Sequence, residues 1–185
     1  MSFRYDIRLS GEGGQGLVLA GRILAEAAAI YDDKNATQSQ SYGPEARGGA
    51  SRSEVIISDE DIDYPKAVRI DLLLALTQES VDKYTKDLKE NGILLVDSGA
   101  VTRIPQGNFR VYRVPIIEIA RERVGKAVVA NIVALGIIVE LTKVVSVRAL
   151  EAAVLSRVPK GTEELNLKAF KTGMEVAQEL VHAGR

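Results

Sequence analysis

The sequence predicts an α/β protein: a three-layer α/β/α sandwich with a mostly parallel, Rossmann-like sheet and a helical C-terminal part. Three observations predict it. First, a glycine-rich stretch, Ser10-Gly11-Glu12-Gly13-Gly14-Gln15-Gly16, joins an apolar run, Tyr5 to Leu9, to an Ala- and Leu-rich run from Leu17 to Tyr31. That is the strand, turn and helix order of a first βα unit. Second, two nearly continuous apolar runs, Ile70 to Leu76 and Ile93 to Val96, flank a helical pattern, as parallel strands covered on both faces do. Third, the chain beyond Gly125 reads as helical throughout.

The elements follow in order. The first helix places Leu17, Ala20, Leu24, Ala27 and Tyr31 on one face and Arg22 and Glu26 on another, the pattern of a helix lying on a sheet. Asp32 and Asp33 end it, and a second strand runs from Asn35 into Ser41. Ser51 to Ser58 reads as a strand, with Ser53, Val55 and Ile57 on one face and Arg52, Glu54 and Ile56 on the other. Gln78 to Glu90 is expected as a helix with Val81, Tyr84 and Leu88 inward, stopped at Asn91-Gly92. After the turn Pro105-Gln106-Gly107-Asn108 comes a strand from Phe109 to Val114, and Pro115 suits the first position of a helix. A buried helix is expected from about Val128 to Lys143 and another after Ser146. A last one follows Asn166, with Leu167, Phe170, Met174, Ala177 and Val181 at helical spacing.

Composition narrows the function. With 185 residues the chain has room for one substantial α/β domain, and a formal net charge of -1 gives no general pull toward nucleic acid or an anionic membrane. The absence of cysteine excludes disulfides, thiolate-held iron–sulfur clusters and a Cys nucleophile in this chain. No signal-peptide core follows Met1, so a cytoplasmic location is the expectation. The most membrane-like stretch, Ala127 to Leu141, is shorter than the ~20 apolar residues of a span and contains Asn131 and Glu140. Asp59, Asp61 and Asp63 imitate the opening of a calcium loop, but Tyr64 and Ile70 occupy its glycine and closing glutamate positions. A solvated acidic turn is expected, and no metal site.

Two stretches carry the candidate binding chemistry. Gly11, Gly13 and Gly16 match G-x-G-x-x-G, and Gly14 adds a further bare N–H. Such a turn serves either a tight strand-to-helix junction alone or an anion held by main-chain amides at a helix N-terminus. The run Thr37-Gln38-Ser39-Gln40-Ser41 lacks the acid that would hold a ribose in an NAD site. The segment Ser41-Tyr42-Gly43-Pro44-Glu45-Ala46-Arg47-Gly48-Gly49 offers a forked donor in Arg47, a flat face in Tyr42 and an acceptor in Glu45. It is either a ligand loop or a solvated one. Thr77, Gln78, Asp97 and Ser98, at carboxyl ends of strands, are placed to border a crevice; Asp97 and Ser98 serve equally well as turn or cap residues.

Taken with Asn131-Ile132-Val133-Ala134-Leu135-Gly136, these two stretches give the chain its resemblance to the gamma subunits of 2-oxoacid:ferredoxin oxidoreductases, most closely the 2-oxoglutarate (KorC/OorC-type) branch. The resemblance covers nearly the whole chain and implies a single gamma-type domain over residues 1–185. It also implies a multi-subunit thiamine-diphosphate enzyme that decarboxylates a 2-oxoacid oxidatively, passes electrons through iron–sulfur clusters to ferredoxin or another acceptor, and transfers the acyl group to coenzyme A. Alpha, beta and delta-type subunits would be the partners and would carry the thiamine diphosphate, Mg and iron–sulfur clusters. This chain has no cysteine and no G-D-G…N motif, and its sole histidine, His182, lies near the C-terminus.

No catalytic residue is expected in this chain, and coenzyme A is its expected ligand. By the same resemblance Gly13, Gly14, Gln15 and Gly16 would lie near the pyrophosphate, with Gly11 also counted in the binding turn, and Tyr42, Gly43, Glu45, Arg47 and Gly48 would shape the adjacent loop or the pantetheine path. Asn131 would hydrogen-bond the ligand or its supporting loop, or would simply be a satisfied amide in a buried helix. Two other readings stay open: an independent Rossmann-like nucleotide-binding oxidoreductase, and a purely structural assembly subunit.

Overall fold

Alternation of side chains along the first strand decides the layers. In the computed structural model, which describes residues 2–41 and 50–183, β1 (Arg4–Gly11) turns Ile7 and Leu9 to one face of the sheet and Asp6, Arg8 and Ser10 to the other. It is followed by β2 (Asn35–Ser41), β3 (Ser51–Ser58), β4 (Ile70–Ala75), β5 (Leu88–Asp97) and β6 (Arg110–Val114). The six strands are ordered β2-β3-β1-β4-β5-β6. β1, β4, β5 and β6 pair in parallel, while β3 runs antiparallel to both β1 and β2. The mostly parallel α/β sheet expected from sequence is therefore present, with one strand reversed between β1 and β2.

The two faces are covered unequally. On one lie α1 (Leu17–Glu26), α3 (Ile116–Ile119), α4 (Ala130–Thr142), α5 (Val147–Arg157) and α6 (Glu163–Ala183), whose apolar residues form one cluster with Ile7, Leu9, Val55, Ile57, Leu72, Leu74 and Leu95. Every residue of α4 from Ala130 to Val139 is buried. The opposite face holds α2 (Gln78–Tyr84), with Val81 packed on Ile56, Leu73, Leu94 and Val96. On the same face the Arg8 guanidinium is 3% exposed and donates to Asp87 at 2.6 Å and to the Ala67 carbonyl at 2.8 Å. Its charge also lies over the Tyr84 ring, 4.9 Å from the centroid.

Three helices depart from the sequence expectation. The second ends at Tyr84, continues as a 3-10 turn to Asp87, and gives way to β5 at Leu88 instead of reaching Glu90. The Thr85 hydroxyl donates to the Val81 carbonyl at 2.6 Å, and Leu88 is taken into the ladder opposite Ile70, so strand pairing overrides the local helical pattern. The first helix widens into a π turn over Ala27–Tyr31. A wider turn breaks the four-residue register, and Tyr31 stands 45% exposed instead of joining the core. The last helix begins at Glu163, before Asn166, and Val181 is exposed near its end while Asn166, Ala169, Phe170, Gly173 and Ala177 form its buried side.

Candidate functional site

The carboxyl ends of β1, β4, β5 and β6 share one end of the sheet, and α1, α2 and α3 start there. The glycine turn closes tightly at that end. Gly14 and Gly16 take left-handed φ values of 88° and 73°. Glu12 N donates to Gln15 Oε1 at 2.7 Å, so the Gln15 side chain folds back to brace the turn. A Cβ on Gly11 would collide with that same oxygen and press on Leu17 and Leu76. Gly16 is the N-cap residue of α1, whose first turn receives no side-chain cap; a helix start of this kind has main-chain N–H groups to offer an anion.

Gly13 differs from its neighbours. Its φ lies outside the left-handed region, and among the described residues a Cβ on it meets nothing within 4 Å. The packing of the described residues therefore does not require a glycine there.

Asn131 is 4% exposed and spends both ends of its amide inside the protein. Nδ2 donates to the Gly16 carbonyl at 3.0 Å, and Oδ1 accepts from Ile132 N at 2.9 Å. The side chain thus ties the start of α4 to the glycine turn across 115 positions of sequence. Of the roles open from sequence, the contact made is with the supporting turn. Asn131→Ala is expected to leave these buried groups short of partners and to cost about 1–3 kcal/mol, seen as a lower Tm in thermal denaturation; an unchanged Tm would mean that the bond is dispensable.

A set of hydroxyls joins Thr77 to three serines, Ser10, Ser51 and Ser80, whose meeting the sequence did not signal. Ser10 Oγ lies 3.0 Å from the Ser51 carbonyl and 2.7 Å from Ser80 Oγ, and Ser80 Oγ is 2.9 Å from Thr77 Oγ1. Ser51 Oγ donates to the Gly11 carbonyl at 3.3 Å. The ladder itself places Gly11 opposite Ser51 and Ser41 opposite Arg52. Both roots of the segment between β2 and β3 therefore stand at the same end of the sheet as the glycine turn. Tyr42, Gly43, Glu45, Arg47 and Gly48 lie outside the described residues.

The strand-end polar residues serve the fold. Thr77 caps α2 by accepting from Ser80 N at 3.2 Å. Gln78 Oε1 accepts from the N–H groups of Thr102 and Arg103 at 2.9 and 3.0 Å and so pins that loop. Asp97, 3% exposed, accepts from Ile117 N at 3.3 Å at the start of α3. Burial pushes its carboxyl above the usual value, opposed by the surrounding main-chain N–H groups. Ser98 N donates to the Val114 carbonyl at 2.9 Å. For Asp97 and Ser98 these bonds are those of turn and cap residues, and the Thr77 cap and the Gln78 bonds were not expected from sequence.

Beside the turn is a pocket of about 300 Å³, between Gly14 and Gln15 on one side and Leu76, Ile117, Ala127, Val128 and Ala130 on the other. Larger grooves of about 540 and 680 Å³ are present elsewhere, and no glycine-turn residue lines them. Among the described residues no cluster of three His, Cys, Asp or Glu side chains is placed to hold a metal ion, and no helix is long and apolar enough to cross a membrane.

The sequence matches the pyruvate ferredoxin/flavodoxin oxidoreductase family over residues 6–176. It is 54% identical over 182 residues to the 2-oxoglutarate synthase subunit KorC of Methanocaldococcus jannaschii, covering 97% of each chain. The fold superposes on the crystal structure of a keto/oxoacid ferredoxin oxidoreductase gamma subunit from Geobacter sulfurreducens with a TM-score of 0.89 and 60% identity, over 96% of this chain and 98% of that one. It also matches 31% of a chain of the 2-oxoglutarate:ferredoxin oxidoreductase from Magnetococcus marinus, a structure with 2-oxoglutarate, coenzyme A and succinyl-CoA bound. That match covers 95% of this chain with a TM-score of 0.83 and, at 22% identity, shows a shared fold.

Proposed function

The chain belongs to the pyruvate ferredoxin/flavodoxin oxidoreductase family, and on that premise we propose that it is the coenzyme-A-holding gamma subunit of a 2-oxoglutarate:ferredoxin oxidoreductase. The observation that carries the site is the pairing of Gly11 with Ser51, which roots the Arg47 segment beside the glycine turn. The proposed site draws on two donor sets of different kinds: main-chain amides from Gly13 to Gly16 at the α1 start, and the guanidinium that Arg47 would contribute. Coenzyme A presents a pyrophosphate and a 3′-phosphate, the anions that such donors suit. Gly11 and Gln15 shape the turn, and Asn131 holds Gly16 in place behind it. Tyr42, Gly43, Glu45 and Gly48 complete the loop side of the proposed site.

The chemistry of this subunit is positional. It holds a thiol where an acyl group produced on other chains can meet it, turning an encounter between molecules into a local step. Alpha, beta and delta-type subunits would supply thiamine diphosphate, Mg and the iron–sulfur clusters, with ferredoxin or another acceptor taking the electrons. The complex would work in the cytoplasm, with residues 1–185 acting as one gamma-type domain, inactive on its own. The names of the similar gamma chains support this assignment over a free-standing nucleotide-binding oxidoreductase.

Isothermal titration of coenzyme A into the reconstituted complex tests it. Arg47→Ala is expected to weaken binding about 10- to 100-fold, the scale of a lost charged hydrogen bond. Unchanged affinity would remove Arg47 from the site, and a wild-type complex that fails to bind coenzyme A would overturn the whole reading.

A further inference from the structure

We propose that the outer edge of β2 pairs with the same edge of a second copy of this chain, joining two six-stranded sheets into one continuous sheet. The inference stands apart from the coenzyme-A reading and concerns how copies of the subunit meet.

The two edges of the sheet are built differently. β6 is five residues long and carries the exposed Arg110 and Arg113, the kind of charge that keeps an edge strand from pairing with another chain. β2 runs for seven residues, Asn35-Ala36-Thr37-Gln38-Ser39-Gln40-Ser41, with no charge and no proline, and it holds unbroken register with β3. Among the described residues only β3 pairs with it, and α1 and the π turn Ala27–Tyr31 are what chiefly pack on it. Its outward main-chain groups form a free ladder edge.

Self-complementarity is the second reason. An antiparallel pair centred on Gln38 sets Thr37 opposite Ser39 of the second copy, and Ala36 opposite its Gln40. No like charges meet, and threonine opposite serine is a favourable cross-strand pair. Such a pair has a two-fold axis, so one surface serves both copies. Gln38 Nε2 donates to the Val18 carbonyl at 3.0 Å and to Ser53 Oγ at 3.3 Å, which fixes the strand at that axis. The same operation on β6, centred on Tyr112, would line the seam with the arginines of both copies.

The third reason is the apolar surface beside the edge. Ile30 and Tyr31 are 65% and 45% exposed, both on the π turn that packs on β2. A lone exposed valine, as Val128 is on the 3-10 turn Ala127–Val129, is ordinary. Two large neighbours bordering a free edge mark a contact surface, and a second copy would take their apolar area out of water. Ser41 and the glycine turn share one end of the sheet. In an antiparallel pair the two glycine turns therefore fall at opposite ends of the seam, and neither copy stands over the other's turn.

Sedimentation equilibrium of the 185-residue chain tests this. Wild type is expected as a dimer, twice the 20.0 kDa of one chain. The double variant Thr37→Lys with Ser39→Lys sets like charges opposite each other and is expected to weaken the dimer about tenfold or more. Thr37→Glu with Ser39→Lys sets opposite charges there and is expected to retain it. Ile30→Asp, on the exposed turn outside the strand, is expected to weaken the dimer about tenfold, and it carries the test if the first double variant fails to fold. A monomeric wild type would overturn the inference, as would a dimer indifferent to the like-charge pair and to Ile30→Asp, or equal weakening by both double variants. Hydrogen exchange in the reconstituted complex identifies the other occupant: a monomeric free chain whose Asn35–Ser41 amides slow only in the complex would give the edge to a strand of a different subunit, and would overturn it as well.

Discussion

Gly13→Val is expected to raise the KM for coenzyme A in the assembled complex by about tenfold or more, while changing stability by no more than about 0.5 kcal/mol. The two halves of that expectation come from the same geometry. Among the described residues a Cβ at position 13 meets no other atom within 4 Å, and the backbone there is not left-handed, so their packing can accept a side chain. The unfolded chain also loses some freedom when glycine is replaced, a small effect in favour of folding. What a branched side chain removes is the close approach of a ligand to the main chain. Gly16→Ala cannot make this distinction. Its Cβ would stand 2.5 Å from Asn131 Nδ2 and its φ is left-handed, so folding and binding would fall together. Steady-state kinetics in coenzyme A beside a Tm measurement decides the matter. An unaltered KM at unaltered Tm would place the nucleotide elsewhere.

Gly136→Ala is expected to destabilise the protein by about 3 kcal/mol, a fall in Tm of about 6–12 °C for a chain of this size. Helix propensity alone gives the opposite sign, since alanine is favoured over glycine in a helix interior by about 1 kcal/mol. The reversal comes from the crossing of α4 and α6. A Cβ on Gly136 would run into the carbonyl oxygen of Phe170 and stand 3.0 Å from Met174 N and 3.1 Å from Gly173 Cα. The contact is reciprocal, because a Cβ on Gly173 would collide with the Val133 carbonyl. These obstacles are main-chain atoms, which cannot rotate away as a side chain can. The helices would have to part, and α4 is buried against the sheet cluster on its other side. Thermal or urea denaturation of the single variant is the measurement; a rise in Tm would show that propensity, and not the crossing, governs this position.

Much of the fold was legible in short patterns. Alternation in Ser51 to Ser58 assigned Val55 and Ile57 to one face and Ile56 to the other, and they lie in separate clusters. Ser146 announced α5 and caps it, accepting from Ala149 N at 3.0 Å. The glycine spacing from Gly11 to Gly16 located the first βα junction, with α1 beginning at Leu17. The hydroxyls of Ser10, Ser51 and Ser80 gave no comparable signal. Serine is common in strands and helix starts alike, and nothing local reveals that three such residues will meet.

The sequence by itself determined the order and kind of most elements, the glycine turn and the family pattern, because periodicity, capping and backbone freedom act over a few neighbouring residues. Tertiary structure decided the reversal of β3 between β1 and β2, the shortening of α2, the outward turn of Val128, the bond from Asn131 to Gly16, and the contact of Gly136 with Gly173. Most of these depend on which distant segments share a ladder or a packed face. Such pairings are settled by the closing of the whole sheet and its core, where burial and hydrogen bonding outweigh the preference of any short stretch.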